Sequence, residues 1–213
     1  MEISFLGINC VRVTAKDLAI LIDPYAKSSG LPDIKGNNNV TLLSSPSPED
    51  APIPAKSDMV IDRPGEYEIK GAMITGVPAR LHIDEPSIPP GATVYAIVVE
   101  GIRIGYLGNI EPKLSNEQVE ALGQVDVLVV PVGGHGLTLD ATAATQIISQ
   151  LEPKYVIPTH YDDEGAKFEV PQDKLEVFLK EIGAHSEPQA RLRVTVKDLP
   201  VETTVVVLQR QGS

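Results

Sequence analysis

Residues 125–161 read VDVLVVPVGGHGLTLDATAATQIISQLEPKYVIPTHY and decide the architecture of the C-terminal half. Val125–Val130 is an apolar run typical of a buried strand. Asp140–Leu151 has the apolar spacing of a helix and stops before Pro153, and Tyr155–Ile157 is β-type again. Strand, helix and strand in this order predict a crossover unit.

Two further helices flank this unit. Residues 115–122 have helical spacing behind Ser115, with Gln118 three residues on as in a capping box. The second, Asp173–Ile182, follows a loop from His160 to Pro171 and is stopped by Gly183. The crossover pattern therefore continues beyond its second strand.

The rest of the chain is dominated by short strands. Residues 2–6, 10–14 and 18–22 predict an antiparallel meander, and residues 93–100 and 102–107 predict a hairpin. Leu192, Val194 and Val196 alternate before the β-rich run 203–208, which predicts a final hairpin. These elements fit two sheets packed face to face with helices outside, although composition alone leaves other α+β layers open.

Composition and charge narrow the class of protein. A chain of 213 residues with 42% hydrophobic content predicts one globular domain over residues 1–213, with a core of Val, Ile and Leu because aromatic residues make up 4%. The formal charge of −11 with no basic cluster argues against nucleic acid as a partner. No apolar stretch long enough to span a bilayer and no signal peptide are visible, so we expect a cytoplasmic protein with no membrane partner.

Six short signatures follow one another along the chain. They are Phe5-Leu6-Gly7, Asp23-Pro24-Tyr25, Pro64-Gly65-Glu66-Tyr67-Glu68, Leu107-Gly108-Asn109, Val130-Pro131-Val132-Gly133-Gly134 and Ile157-Pro158-Thr159-His160-Tyr161. Together and in this order they resemble the metallo-β-lactamase-fold group that includes the ascorbate-6-phosphate lactonase-like hydrolases. The resemblance implies an α+β fold, a four-layer αββα sandwich.

The resemblance also locates the segment that holds metal in that family. There a strand ends in Ser-His-x-His-x-Asp-His, whose side chains bind one or two metal ions, usually zinc, that activate water. The matching residues 44–50 read SSPSPED. Ser45 and Ser47 stand where the family has histidines, Glu49 where it has aspartate, and Asp50 where it has the last histidine.

Two further positions that hold metal ligands in the family also carry other residue types here. The early histidine falls at Ile8, and the aspartate that bridges two metals falls at Asn109, whose neutral amide is a poor bridge. His160 matches the late histidine, whereas His82 lies about one residue away from an expected ligand. One imidazole cannot supply the three or four protein ligands of a zinc site.

Our main interpretation is a non-catalytic scaffold whose remnant cleft is closed or binds a small molecule or another chain, with no metal ligands and no cofactor expected. The candidate cleft residues are Ser45, Ser47, Glu49, Asp50, Asn109, His135 and His160. Four of them also have a structural reading: His160 as a retained structural histidine, Glu49 and Asp50 as solvated loop acids, and His135 as a turn residue.

The alternative is a divergent hydrolase that holds one Zn, Mn or Mg ion through Glu49, Asp50, Asn109 and His160, with or without His135, and attacks a lactone or phosphate-ester-like bond with water. A serine hydrolase using Ser45 or Ser47 would need a base such as His160 within hydrogen-bond reach. Because family members assemble into multimers, a homo-oligomer is a third, compatible expectation.

Overall fold

The computed structural model describes residues 1–46, 57–82 and 91–211 of the chain. Two mixed sheets form the body of the protein. The first sheet contains β1 (Glu2–Gly7), β2 (Cys10–Ala15), β3 (Leu18–Ile22), β4 (Asn38–Leu42), β5 (Ser57–Ile61) and β12 (Leu192–Arg193). The second contains β6 (Gly65–Ile69), β7 (Ala72–Ala79), β8 (Ala92–Val99), β9 (Ile102–Tyr106), β10 (Val127–Pro131), β11 (Tyr155–Thr159) and β13 (Thr204–Val205).

The first sheet has the spatial order β12-β1-β2-β3-β4-β5. Strands β1 to β3 pair antiparallel, with Phe5 opposite Val11 and Val13 opposite Ile20. The predicted meander is therefore confirmed. From β3 onward the pairing is parallel, so β3 and β4 end at the same edge of the sheet.

The second sheet has the order β13-β11-β10-β9-β8-β7-β6. Strands β8 and β9 form the predicted hairpin, turned at Glu100 and Gly101. Strands β9, β10 and β11 run parallel, and α2 (Ala141–Leu151) connects the last two. The predicted crossover is confirmed, and its strands end at one edge of the sheet.

A large apolar core fills the space between the sheets. Alternate residues such as Val127 and Val129 face it, whereas Leu128 and Val130 face a second core on the other side of the same sheet. Strand β10 is thus covered on both faces, which explains why its sequence is continuously apolar rather than alternating.

The second core is closed by the three helices. α1 (Asn116–Leu122) begins at Ser115, which forms the predicted capping box with Gln118. α3 (Leu175–Ile182) ends at Gly183 in the left-handed conformation, as predicted. On the outer side of the first sheet, Tyr25 and Ile34 cover a smaller cluster, in a segment that includes the 3₁₀ turn Lys27–Ser29. The predicted two-sheet sandwich with outer helices is confirmed.

The C-terminal segment corrects one prediction. No hairpin forms, because β12 pairs antiparallel with β1 of the first sheet and β13 pairs parallel with β11 of the second. Each short strand completes an edge that would otherwise leave backbone groups unpaired. An alternating sequence shows which side of a strand is buried, but not which edge the strand joins.

Among the described residues, no helix has both the length and the apolar character needed to cross a membrane.

Candidate functional site

Turns from both sheets meet at one edge of the sandwich and enclose a cavity of about 240 Å³. Asp23 follows β3 and Ser45 follows β4 in the first sheet, while Asn109 follows β9 and His160 follows β11 in the second. The carboxyl ends of parallel strands lie at the same edge of a sheet, and binding sites in such sheets commonly lie at that edge. Apolar side chains, including Leu43, complete much of the lining.

Four polar residues, Asn9, Asn109, Thr159 and His160, form what we call the Asn109 cluster. Asn109 Oδ1 accepts two hydrogen bonds, from Asn9 Nδ2 at 2.8 Å and from His160 Nδ1 at 2.9 Å. Thr159 Oγ1 donates to Asn9 Oδ1 at 3.0 Å. The cluster therefore joins the β1–β2 turn of the first sheet to two strand ends of the second.

His160 is fixed by three different contacts and is almost fully buried, with 5% of its surface exposed. Its backbone N–H donates to the carbonyl of Ile8 at 2.7 Å, and its ring stacks on Phe168 with centroids 5.5 Å apart. Burial lowers the pKa of His160 to about 4, because water can no longer stabilise the imidazolium. The ring is neutral at physiological pH, and its Nδ1–H bond to Asn109 leaves Nε2 as an acceptor.

A second group, the Asp23 cluster, consists of Asp23, Ser44 and Tyr106. The Asp23 carboxyl group accepts hydrogen bonds from the backbone N–H of Ser44 at 2.7 Å and from its hydroxyl group. The hydroxyl of Tyr106 lies 2.7 Å from Asp23 Oδ2, the oxygen that also accepts from the Ser44 hydroxyl, and 2.9 Å from the carbonyl of Asn9. Enclosure raises the pKa of Asp23, although the bonds from Ser44 and Tyr106 counteract that effect.

Three residues at this edge have a strained backbone. Ile8, Asp23 and His160 line the cavity and have positive φ angles of 58°, 46° and 49°. For a β-branched residue such as Ile8 this conformation is rare and costs about 1–3 kcal/mol. The surrounding hydrogen bonds hold these residues in place, as is common where a fold shapes a binding or catalytic site.

A smaller cavity of about 200 Å³ adjoins the first and shares Ser45, Asn109 and Leu137 with it. His82 lines this second cavity, and its backbone N–H donates to the carbonyl of Asn109 at 3.2 Å. Its Nδ1 is buried and has no hydrogen-bond partner among the described residues. Asn109 therefore stands between two histidines, one beside each cavity.

The structure brings together part of the predicted residue set. Ser45, Asn109 and His160 line the main cavity. His135 is not among the described residues that line either cavity. Its Nε2 lies 3.1 Å from Asp173 Oδ1, and 45% of its side chain is exposed. Three predicted residues, Ser47, Glu49 and Asp50, lie outside the described part of the chain.

Sequence reasoning missed several residues that build this edge, namely Asn9, Asp23, Tyr106, Thr159 and Phe168. Asn9 lies in the tight turn Gly7-Ile8-Asn9, which gives a polar residue an ordinary turn explanation. Tyr106 lies within an apolar strand and reads as core. A signal was available for Asp23, because a buried acid between a strand and a proline needs hydrogen-bond partners.

The donor groups in this part of the chain do not form a metal centre. Among residues 1–46, 57–82 and 91–211, no three His, Cys, Asp or Glu side chains lie close enough together to hold an ion. Asn109 Oδ1 already accepts two hydrogen bonds, which is the capacity of a carbonyl oxygen. The described residues therefore do not supply the three or four ligands that zinc requires.

Comparison with known proteins identifies the family. A family model described as the Beta-lactamase superfamily domain matches residues 2–160, about three quarters of the chain. The chain belongs to the beta-lactamase superfamily. A protein of Thermotoga maritima, assigned to the Zn-dependent hydrolases of the metallo-β-lactamase superfamily, has a similar structure with a TM-score of 0.77 and 29% identity over 97% of both chains. The predicted metallo-β-lactamase sandwich is thereby confirmed for this superfamily member.

Sequence relatives carry hydrolase names. A UPF0173 metal-dependent hydrolase of Natranaerobius thermophilus is 25% identical over an alignment of 222 positions that spans 88% of this chain and 99% of the relative. Another of the same name from Thermococcus onnurineus is 30% identical over 100 residues, and that match spans 46% of this chain and 44% of the relative. The narrower resemblance to the ascorbate-6-phosphate lactonase-like group stays a prediction.

Proposed function

We propose that this superfamily member binds a small organic molecule in the cleft around the Asn109 cluster, without a metal ion and without hydrolysing it. The observation that supports this most directly is the pair of hydrogen bonds that Asn109 Oδ1 accepts from His160 and Asn9. In the resemblance set out above, this position and that of His160 are metal ligands. Here the two side chains bond to each other instead.

The cost of changing this arrangement also supports a metal-free cleft. To bind an ion, Asn109 Oδ1 would have to release protein donors, and each unpaired buried group costs about 1–3 kcal/mol. His160 would bring one nitrogen ligand, and the carboxyl group of Asp23 is already engaged by Ser44 and Tyr106. A cavity of about 240 Å³ with a largely apolar lining remains for a small molecule.

Metal analysis tests this proposal. Full-length protein, purified without chelators or affinity-column metal, is measured by plasma mass spectrometry after incubation with Zn²⁺ or Mn²⁺ and dialysis. We expect a metal content far below one ion per chain. Stoichiometric zinc or manganese would overturn the proposal.

A restored variant serves as the positive control. Ser45→His, Ser47→His, Glu49→Asp, Asp50→His and Asn109→Asp together return the family's ligand types to the positions matched by the resemblance. We expect this variant to retain zinc, which would show that the fold is competent to hold the ion and that the wild-type side chains are the reason for its absence.

The names of the relatives favour a second candidate, a hydrolase with a residual one-metal site. It would use His160 and Asn109 together with Glu49 and Asp50, whose positions lie outside the described residues. A screen of lactone and phosphate-ester substrates with added Mn²⁺, Zn²⁺ or Mg²⁺ tests it. Metal-dependent turnover that disappears in the His160→Ala variant would establish this candidate in place of the first.

A further inference from the structure

One loop, residues 162–173, forms part of the wall of the main cavity. It contains no helix or strand, and Phe168 in its second half lines the cavity. The backbone N–H of Asp162 donates to the carbonyl of Asp173 at 2.9 Å, so the two ends of the loop lie side by side. A loop of this length with adjacent ends is an Ω-loop, a type of surface loop that frequently carries function.

Both ends of the loop are attached to the body of the protein. The backbone N–H of Asp173 donates to the carbonyl of Gly133 at 2.8 Å, and α3 begins two residues later. Before the loop, the backbone N–H of His160 donates to the carbonyl of Ile8 at 2.7 Å. Because these ends are fixed and adjacent, movement of the loop between them does not require β11 or α3 to move.

Two contacts hold the middle of the loop beside the cavity. The ring of Phe168 stacks on the ring of His160 with centroids 5.5 Å apart. The backbone N–H of Lys167 donates to the carbonyl of Ser29 at 2.8 Å, and Ser29 also lines the cavity. The loop thus reaches from a strand end of the second sheet to the outer segment of the first.

An ion pair holds the first part of the loop. Arg210 Nη1 lies 2.7 Å from Asp163 Oδ2 and 2.9 Å from the carbonyl of Glu164. The two paired side chains are 24% and 17% exposed, so water and salt screen this pair less than a surface pair. Arg210 bridges to Phe5 of β1, and the ion pair therefore ties the loop to the first sheet.

Apolar packing contributes little to this closed position. No residue of the loop belongs to either of the two large apolar cores. Phe168 is partly buried, and its neighbours Lys167 and Glu169 are exposed. Segments with few buried apolar contacts open at a lower free energy than the core does.

We propose that the 162–173 loop is a lid that opens as a unit, separating Phe168 from His160 and giving a ligand access to the main cavity. The ion pair between Arg210 and Asp163 stabilises its closed position. The lid regulates access to the cleft and so rests on the binding function proposed above, but its opening is measurable without a ligand or a metal ion.

Native-state hydrogen exchange of the full-length protein, followed by NMR, tests the lid. The amides of Lys167 and His160 donate backbone hydrogen bonds of similar length, 2.8 Å and 2.7 Å, but only Lys167 lies in the loop. We expect the protection factor of Lys167 to be lower by about tenfold or more and to change little with low urea, because local opening exposes little surface. Equal protection and equal urea dependence of the two amides would overturn the lid.

Two variants test the contacts that hold the lid closed. Phe168→Ala removes the ring stack and Arg210→Met removes the ion pair, and each should lower the protection of Lys167 by about threefold or more. Protection of the His160 amide should stay within about twofold. Unchanged protection of Lys167, or an equal loss at Lys167 and His160, would contradict these roles.

Arg191→Met is the matched control for the ion pair. Arg191 Nη1 lies 2.8 Å from Glu2 Oε1 and makes no contact with the loop. This variant should leave the protection of Lys167 within about twofold of the wild type. Should Arg210→Met not fold, Asp163→Asn removes the same ion pair from the side of the loop.

Fluorescence provides a readout that is independent of amide exchange. The chain contains no Trp, so Phe168→Trp places a single indole at the position that stacks on His160. We expect acrylamide to quench this indole about twofold more strongly when Arg210→Met is added than when Arg191→Met is added. Equal quenching in the two double variants would contradict the role of the Arg210 ion pair.

Failure of the lid and failure of the proposed function are distinguishable. If Lys167 exchanges only through global unfolding, the lid is wrong, while the metal-free cleft stands. Stoichiometric zinc or manganese in the metal analysis overturns the metal-free cleft and leaves the exchange result for the loop unchanged.

Discussion

The Asp23 cluster and the Asn109 cluster lie side by side and both join the two sheets, yet they differ in what they leave open. Asp23 accepts from Ser44 and Tyr106 on both sides of its carboxyl group. In the Asn109 cluster, Nδ2 of Asn109 and Nε2 of His160 have no partner among the described residues. One cluster is closed, and the other lines the cavity with groups that no described residue engages.

The comparison distinguishes buried polar groups that stabilise the fold from polar groups that are available to a ligand. Buried polar groups that satisfy one another specify how the sheets pack and offer nothing to a ligand. A neighbouring cluster with the same location but incomplete pairing can recognise a molecule. Tyr106 connects the two, since its hydroxyl lies near both Asp23 and the carbonyl of Asn9.

The largest expected effect is on the free energy of unfolding and concerns the Asp23 cluster. Asp23→Ala removes the acceptor for two Ser44 groups and Tyr106, and we expect a loss of about 3–5 kcal/mol in the free energy of unfolding, measured with urea. Asp140→Ala is the matched control. Asp140 accepts one bond, from the backbone N–H of Ala143 at 2.8 Å, and its loss as a helix cap should cost about 1 kcal/mol. Equal losses in the two variants would contradict the distinction.

The next effect is the pH dependence contributed by His160. Its pKa is about 4 in the folded protein against an ordinary value of 6.5, so between these values the unfolded chain binds more protons. Stability from this group is complete above the higher value and is lost as the pH falls toward the lower one. We expect a loss of about 3 kcal/mol on going from about pH 7 to about pH 4.

His160→Gln isolates that contribution, because glutamine does not titrate while the other histidines remain. Urea unfolding across this pH range should show a shallower loss in the variant than in the wild type. Parallel pH profiles would mean that His160 is not held neutral by burial, and the open Nε2 acceptor would then be in doubt.

The smallest effect concerns a polar pair outside both clusters. His135 and Asp173 are 45% and 38% exposed, so His135→Ala should change the free energy of unfolding by less than about 1 kcal/mol. Urea unfolding measures this change, and a loss of more than about 1 kcal/mol would contradict the reading of an exposed pair.

How well the sequence predicted a feature depended on how far apart along the chain the interacting residues are. The capping box at Ser115 and the crossover through α2 were correct because neighbours along the chain determine them. The final hairpin was wrong because β12 and β13 are each decided by an edge strand far away in the sequence. Asn109 and His160 were placed together, whereas Asp23 and Tyr106 were overlooked, since their polar partners come from other strands.

By itself, the sequence determined the alternation of strands and helices, the apolar faces and the signatures that resemble the superfamily. These depend on residue type and spacing, which the chain carries locally. Only the tertiary structure decided which polar groups are satisfied and which remain open. That outcome depends on contacts between residues such as Asn9 and Asn109, 100 positions apart, and on the burial that keeps His160 neutral.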